Sequence, residues 1–167
     1  QEGGSAGISD ALKYAEDFAD GGSVAVILGD NTTDADISSA VGTFVDGAMV
    51  FLKEVADPKR FGIPRFSAQD PNVIEEIIEK PQEPPCNQAV TGLYLFDNTV
   101  FDKIRILKPS ERGELEVTDL NNAYIKEGKL RHAKLEGFWS DAGTFESLFR
   151  TNAYWAKKKL GAQYPLT

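Results

Sequence analysis

The chain has 167 residues, of which 41% are hydrophobic and 26% are charged, a composition typical of one globular domain. Its formal net charge of −8 disfavours binding to nucleic acid or to an anionic membrane surface, because both are negatively charged. A single cysteine, Cys86, excludes an internal disulfide and fits a reducing, cytoplasmic setting. No apolar run approaches the roughly 18 residues of a membrane span.

The first third of the chain alternates between helical and strand patterns. Apolar residues at helical spacing predict a helix over residues 8–18, and residues 36–45 predict a second one. Two nearly continuous apolar runs, 23–28 and 48–55, are typical of strands buried on both faces. This order predicts an α/β fold with a mixed, mostly parallel sheet flanked by helices.

The remaining sequence continues with shorter elements divided by turn residues. The predicted strands are 61–66, 73–79, 89–96 and 130–135, the first two forming a hairpin, and the predicted helices are 98–107, 116–127 and a last helix from Thr144 to about residue 160. There is no internal repeat, and the whole chain, residues 1–167, is interpreted as one domain.

Two carboxylates follow strand patterns and are candidate metal ligands. Asp30 comes after the apolar run that ends at Leu28, and Asp141 follows the short segment that includes Trp139. Ligands of open α/β sheets bind at the carboxyl ends of strands. Two carboxylates there could share one Mg²⁺, which prefers oxygen ligands and substrate phosphates. The alternative for each is an ordinary turn or helix-capping aspartate.

A second candidate pair, Glu79 and Lys80, ends the predicted hairpin. The lysine could stabilise charge on a phosphoryl group, and the glutamate could accept hydrogen bonds from sugar hydroxyls. The alternative is a solvated strand end. Arg112 precedes a predicted helix, where we expect mainly a structural role for the acidic residues of the first turn. His132 and Cys86 lack catalytic partners in the sequence and receive no role.

These segments together resemble the sugar-nucleotide pyrophosphorylases, a nucleotidyltransferase family, and most of all its glucose-1-phosphate thymidylyltransferase type. The resemblance covers nearly the whole chain. It rests on an ordered set of motifs: LGDN at 28–31, FG at 61–62, EKP at 79–81, AVTGLY at 89–94, RGELEVTD at 112–119 and WSDAGT at 139–144. It implies a Rossmann-like, GT-A-like nucleotidyltransferase fold.

The resemblance also implies an activity and its residues. The family transfers a nucleotidyl group from a nucleoside triphosphate, here expected to be dTTP, to a sugar 1-phosphate, here expected to be glucose 1-phosphate, and releases pyrophosphate. Such enzymes serve nucleotide-sugar and polysaccharide biosynthesis. The implied roles are Mg²⁺ binding by Asp30 and Asp141, contact with the sugar-linked phosphate by Lys80, sugar contacts by Gly62, Glu79 and Val90, and contacts at the base by Gln1 and Gly7.

The front of the sequence departs from the family pattern. The family's Gly-rich triphosphate loop has no counterpart here, and no strand precedes residues 23–28. We therefore expect a domain that is incomplete at its N-terminus, with an exposed apolar sheet edge and weak or no activity alone.

Two other functions remain open at this point. One is a non-catalytic sugar-nucleotide-binding or regulatory module, and the other is a glycosyltransferase of similar architecture. The motifs at 79–81 and 139–143 disfavour the glycosyltransferase. The expected partners are a nucleoside triphosphate and a sugar 1-phosphate, with no nucleic acid and no membrane. The oligomeric state, a homo-oligomer included, is left open.

Overall fold

The computed structural model describes residues 6–161, which form eight strands and six α-helices. The strands are β1 (Val24–Ile27), β2 (Asn31–Thr33), β3 (Ala48–Glu54), β4 (Gly62–Phe66), β5 (Ile74–Glu79), β6 (Gln88–Phe96), β7 (Leu130–Lys134) and β8 (Trp139–Asp141). The helices are α1 (Ile8–Leu12), α2 (Glu16–Ala19), α3 (Ser38–Thr43), α4 (Val100–Ile106), α5 (Val117–Lys126) and α6 (Phe145–Leu160).

The central sheet has the strand order β1-β6-β3-β7. β6 is antiparallel to both β1 and β3, and β7 is parallel to β3. β1, β3 and β7 therefore run in one direction, and β6 alone runs in the other. The α/β class with flanking helices is confirmed. The expectation of mostly parallel pairing is wrong, because the reversed strand β6 lies between β1 and β3.

The core occupies both faces of this sheet, and alternate residues of β6 face opposite sides, as strand geometry requires. Tyr94 and Phe96 pack on the side of α4 and α5, where Phe96 stacks on Tyr124 with ring centroids 5.8 Å apart. Leu93 and Leu95 pack on the other side, towards α3. Each fully buried side chain of this size contributes about 1.5–3 kcal/mol.

β1 is not buried on both faces, which corrects the interpretation of residues 23–28. Ala25 is exposed and Ile27 is 63% exposed, whereas Val24 and Val26 pack against the core. Within residues 6–161 no strand pairs with the outer edge of β1, and the strand therefore presents an open apolar edge.

Two further differences concern short elements. The helix predicted over residues 8–18 is divided into α1 and α2 by a 3₁₀ turn, Lys13–Ala15. The ladder between β2 and β8 was not predicted, because three-residue strands carry too little periodicity to detect. Its pairs are Asn31 with Asp141, Thr32 with Ser140, and Thr33 with Trp139.

No helix in the described part of the chain is long and apolar enough to cross a membrane.

A buried carboxylate joins the end of β6 to its neighbours. Asp97 accepts hydrogen bonds from the backbone N–H of Gly47 at 2.7 Å, from Tyr124 Oη at 2.9 Å and from Thr99 Oγ1 at 2.5 Å. Burial alone would raise the pKa of Asp97, but the hydrogen bonds from Thr99, Gly47 and Tyr124 outweigh it and lower that pKa. Asp97 thus links the end of β6 to α5 and to the residue before β3, as a charged hydrogen-bond acceptor.

We expect Asp97→Asn to lower the free energy of unfolding by about 2 kcal/mol at pH 7, because at least one buried donor loses its acceptor. Because the folded-state pKa is depressed, this contribution is present above the unfolded pKa of about 4 and is lost as the pH falls below it. Urea unfolding at pH 7 and pH 3 should show the difference between the two proteins shrinking in acid.

The matched control for this measurement is Asp102→Asn in α4, where the aspartate side chain is 81% exposed. Its effect should stay within about 0.5 kcal/mol, as is usual for an exposed ion pair. Equal losses for the two substitutions would contradict the role given to Asp97.

Candidate active site

The β2–β8 ladder brings the two candidate metal ligands together. Asp30 immediately precedes β2 and Asp141 ends β8, and the backbone N–H of Ala142 donates to the carbonyl of Asp30 at 2.7 Å. A Cβ placed on Gly143 would lie 3.3 Å from Asp141 Oδ2 and 3.6 Å from Asp30 Oδ2. Both carboxylates therefore converge on the same space beside a glycine.

Asn31 connects this carboxylate pair to the central sheet. Its Nδ2 donates to Asp30 Oδ1 at 2.9 Å, and its Oδ1 accepts from the Gly92 N–H at 2.9 Å and from Trp139 Nε1 at 2.8 Å. β6 is irregular here, because its pairing with β3 changes register between Val50 and Leu52 of β3. A Cβ at Gly92 would lie 2.4 Å from Asn31 Nδ2, so only glycine admits this close approach.

A cleft of about 250 Å³ lies between β4, β5, β6 and the β2–β8 ladder. Glu79 stands inside it, and its Oε2 accepts from Thr118 Oγ1 at 2.6 Å. Gly62 is directly opposite Glu79 in the β4–β5 pairing, and Val90 comes from β6. This part of the cleft thus combines the hydrogen-bonded carboxylate of Glu79 with glycine and apolar residues, which suits a polyhydroxylated ligand.

Lys80 has an unusual backbone. Its φ is 44°, a left-handed value that side-chain-bearing residues rarely adopt, and its N–H donates to the Phe61 carbonyl at 3.0 Å. The Nζ lies 3.7 Å from Glu79 Oε1, and the side chain is 51% exposed. Strained backbone of this kind concentrates at ligand-binding positions.

Arg60 is a site residue that the sequence interpretation missed. Its Nη2 lies 2.7 Å from Asp141 Oδ2, and its guanidinium is 5.3 Å from the centre of the Phe61 ring. It ends a 3₁₀ turn, Pro58–Arg60, two residues before Gly62. In the sequence, only its position two residues before Gly62 could have indicated a role for Arg60. The arginine places a cation directly beside one of the two candidate metal ligands.

Carboxylates outnumber cationic side chains in the lining of the cleft, three to two. Burial raises the pKa of Tyr94, and the carboxylates of Glu79 and Asp30 raise it further. A site with this field stabilises a bound cation.

An adjoining cleft of about 480 Å³ extends the site towards the N-terminal residues. Gly7, Glu79, Lys80 and Arg112 all line it. The guanidinium of Arg112 lies 2.9 Å from Glu116 and 3.9 Å from Glu79, and the hydrogen bond that it donates to Glu116 is the main reason that the pKa of Arg112 is raised. Arg112 therefore stands at the margin of the site as well as before α5.

The candidate residues are gathered in one region. Those that line the smaller cleft are Asp30, Gly62, Glu79, Lys80, Val90 and Asp141. Gly7 lines the adjoining cleft, and Gln1 lies outside the described residues. Their individual roles stay predictions.

The donor set fits Mg²⁺. Two carboxylates that converge beside Gly143 leave the remaining coordination positions to water and to phosphate oxygens, which is how Mg²⁺ is usually bound. The described residues contain no group of three or more His, Cys, Asp or Glu side chains that could enclose a metal ion. The site would therefore be an open one, completed by a phosphate-bearing ligand.

Comparison with known proteins places these features in a family. The sequence profile described as "Nucleotidyl transferase" matches residues 1–158. The chain is 42% identical over 156 residues to a glucose-1-phosphate thymidylyltransferase of Neisseria gonorrhoeae, covering 89% of this chain and 53% of that protein. It is 36% identical over 155 residues to the low-salt glycan biosynthesis nucleotidyltransferase Agl11 of Haloferax volcanii, covering 90% and 43%.

Solved structures agree with the sequence comparison. A proposed glucose-1-phosphate thymidylyltransferase of Bacillus anthracis in complex with sucrose superposes with a TM-score of 0.84 at 44% identity, covering 100% of this chain and 65% of that one. A UDP-glucose pyrophosphorylase complexed with UDP-glucose, at 22% identity and a TM-score of 0.81, shares the fold. The chain spans about half the length of the two relatives found by sequence, 43% of the Haloferax volcanii protein and 53% of the Neisseria gonorrhoeae protein. By its sequence profile the chain belongs to the nucleotidyl transferase family.

Proposed function

We propose that this chain carries the metal-binding and sugar-binding part of a sugar-1-phosphate nucleotidylyltransferase. The reaction moves a nucleotidyl group from a nucleoside triphosphate, expected to be dTTP, to a sugar 1-phosphate, expected to be glucose 1-phosphate. The products are a nucleoside diphosphate sugar and pyrophosphate. The observation that carries this proposal is the convergence of Asp30 and Asp141 beside Gly143, in the cleft that also holds Glu79 and Lys80.

The chemistry needs positioning and charge neutralisation more than it needs a base. The sugar phosphate already carries an oxyanion that can attack the α-phosphate of the triphosphate, so no strong base is required. The protein must hold the two phosphates in line. Mg²⁺, when bound to Asp30 and Asp141, would supply charge neutralisation for the phosphate oxygens.

Two cations of the chain complement that site. The half-exposed ammonium of Lys80 extends into the cleft from a fixed, strained backbone and would contact the sugar-linked phosphate. Arg60 pairs with Asp141 through one guanidinium nitrogen and retains further donors for phosphate oxygens. Both residues would orient the anionic substrate without taking part in covalent chemistry.

The other side of the cleft fits a sugar. Glu79 keeps its Oε1 more than 3.5 Å from Lys80 Nζ and from the guanidinium of Arg112, so that oxygen can accept hydrogen bonds from sugar hydroxyls. Gly62 and Val90 border the same space. Gly7 in the adjoining cleft would lie near the base, where Gln1 is also expected to contribute.

The choice of dTTP and glucose 1-phosphate is supported by the relatives. Several of the similar proteins are named glucose-1-phosphate thymidylyltransferases, among them those of Neisseria gonorrhoeae and Xanthomonas campestris, each more than 40% identical to this chain.

We expect Asp30→Asn and Asp141→Asn each to abolish the Mg²⁺-dependent part of dTDP-glucose binding, because a neutral amide is a poor ligand for this cation. Calorimetric titrations with dTDP-glucose, with and without Mg²⁺, measure that part directly. Asp20→Asn serves as the control, since Asp20 lies in an exposed turn. Unchanged Mg²⁺ dependence in either site variant would contradict the metal role.

We expect Glu79→Gln to weaken glucose 1-phosphate binding about tenfold, because charge-assisted hydrogen bonds to sugar hydroxyls become neutral ones. Glu75→Gln is the matched control on the same strand, since Glu75 is exposed and does not line the cleft. The two variants can be compared by titration with glucose 1-phosphate. Equal affinities would remove Glu79 from the sugar site.

A turnover assay separates the proposed function from a non-catalytic binding module. Pyrophosphate release from dTTP and glucose 1-phosphate marks a transferase. The assay should also use the chain extended by the further segments of its longer relatives. If that protein bound dTDP-glucose but released no pyrophosphate, the non-catalytic binding module would be favoured.

A further inference from the structure

Helix α6 starts immediately after the second candidate metal ligand. Only three residues separate Asp141 from the first residue of the helix. Thr144 caps the helix: its Oγ1 accepts from the Ser147 N–H at 3.1 Å, and its own N–H donates to Ser147 Oγ at 3.0 Å. One end of α6 is therefore firmly joined to Asp141.

The C-terminal half of the same helix returns to the segment that follows Asp30. Tyr154 Oη and Lys158 Nζ both donate to Asp34 Oδ2. Asp34 Oδ1 accepts from the backbone N–H of Phe138 at 2.7 Å. One carboxylate thus joins α6, the residues after β2 and the residue before β8. We refer to Asp34, Tyr154 and Lys158 as the α6 clasp.

Packing and further hydrogen bonds support the clasp. The rings of Phe138 and Tyr154 stack with centroids 3.8 Å apart and planes within 5° of parallel. Trp155 Nε1 donates to Thr32 Oγ1 at 2.7 Å, and Lys158 Nζ lies 5.5 Å from the Trp155 ring centre. The helix is therefore held along the β2–β8 ladder by several independent contacts.

The backbone leaves room for the clasp carboxylate. Gly137 has a φ of 77°, and a Cβ at this position would lie 2.4 Å from Asp34 Oδ1. Both the left-handed conformation and the close approach require glycine. The loop before β8 is thus shaped around Asp34.

The ladder needs such support for two physical reasons. It has only three residue pairs, and an isolated two-stranded ribbon is marginally stable in water. One end of it carries both Asp30 and Asp141, two like charges that repel each other, and the Arg60–Asp141 ion pair offsets only part of this repulsion. A contact outside the cleft that opposes their separation would preorganise the pair.

We propose that Asp34, Tyr154 and Lys158 are positioning residues that set the affinity of the Asp30–Asp141 pair for a divalent cation. None of the three lines the cleft, so they would act only by holding α6 against the ladder. This inference rests on the proposed function, because it takes that pair as the metal site.

Replacement of Lys158 separates positioning from simple electrostatics. Loss of a positive charge should by itself leave cation affinity unchanged or raise it. The clasp predicts the opposite sign: Lys158→Met should weaken Mn²⁺ binding about tenfold, the lower end for residues that support metal ligands. Lys157→Met, an exposed neighbour on the same helix, removes the same charge and should not weaken binding. Water-proton relaxation with Mn²⁺ as the probe measures both.

A second pair of variants changes no charge. Tyr154→Phe keeps the stacked ring and loses only the hydroxyl that donates to Asp34, so we expect Mn²⁺ affinity to fall about threefold. Tyr14→Phe is the control, because Tyr14 is 69% exposed. Equal Mn²⁺ affinities within both variant pairs would overturn the clasp.

Cation-free binding of glucose 1-phosphate distinguishes positioning from general destabilisation. Its proposed contacts, Gly62, Glu79, Lys80 and Val90, lie on or next to β4, β5 and β6 rather than on the ladder, so the Lys158→Met protein should bind it as the unsubstituted chain does. A parallel loss of sugar phosphate and Mn²⁺ binding would overturn the positioning role. If the unsubstituted chain bound neither ligand, the proposed function would fail and the inference with it. If it bound both and each clasp variant matched its control in Mn²⁺ affinity, only the inference would fail.

Discussion

The three-pair ladder between β2 and β8 is the interaction on which the candidate site depends. It places Asn31 opposite Asp141, and so brings together two carboxylates from distant parts of the chain. The backbone bond from Ala142 to Asp30 extends the same pairing by one step. The approach of Asp30 to Asp141 depends on this ladder, and Arg60 reaches the pair through its contact with Asp141.

The reversed strand β6 explains why the ladder lies where it does. β6 is central and almost wholly buried, and it supplies Val90 and Tyr94 to the cleft. Its irregular pairing near Gly92 admits the Asn31 amide, which in turn holds Asp30. One departure from regular strand geometry therefore connects the core to the candidate metal ligands.

Much of the fold was visible in the sequence, because apolar runs and turn residues are local signals. The strand ends at Asp30 and Glu79 were recognised in this way, and the ordered motifs indicated the family. The strand order could not be predicted from the sequence, because the position of β6 between β1 and β3 depends on pairing between distant segments. Arg60 was missed for a similar reason: nothing beside it in sequence reveals that Asp141 is its partner. The left-handed backbone of Lys80 also opposes local preference, which favours extended conformations before proline.

That backbone at Lys80 has a consequence for how the protein can change. At a φ of 44°, glycine or asparagine would relieve the conformational cost that lysine carries. Selection for stability alone would therefore drive lysine out of this position, and a consensus-based stabilisation scheme would be drawn to the same replacement. Lysine at a conformation suited to glycine is what a trade-off between stability and ligand binding would leave in the sequence.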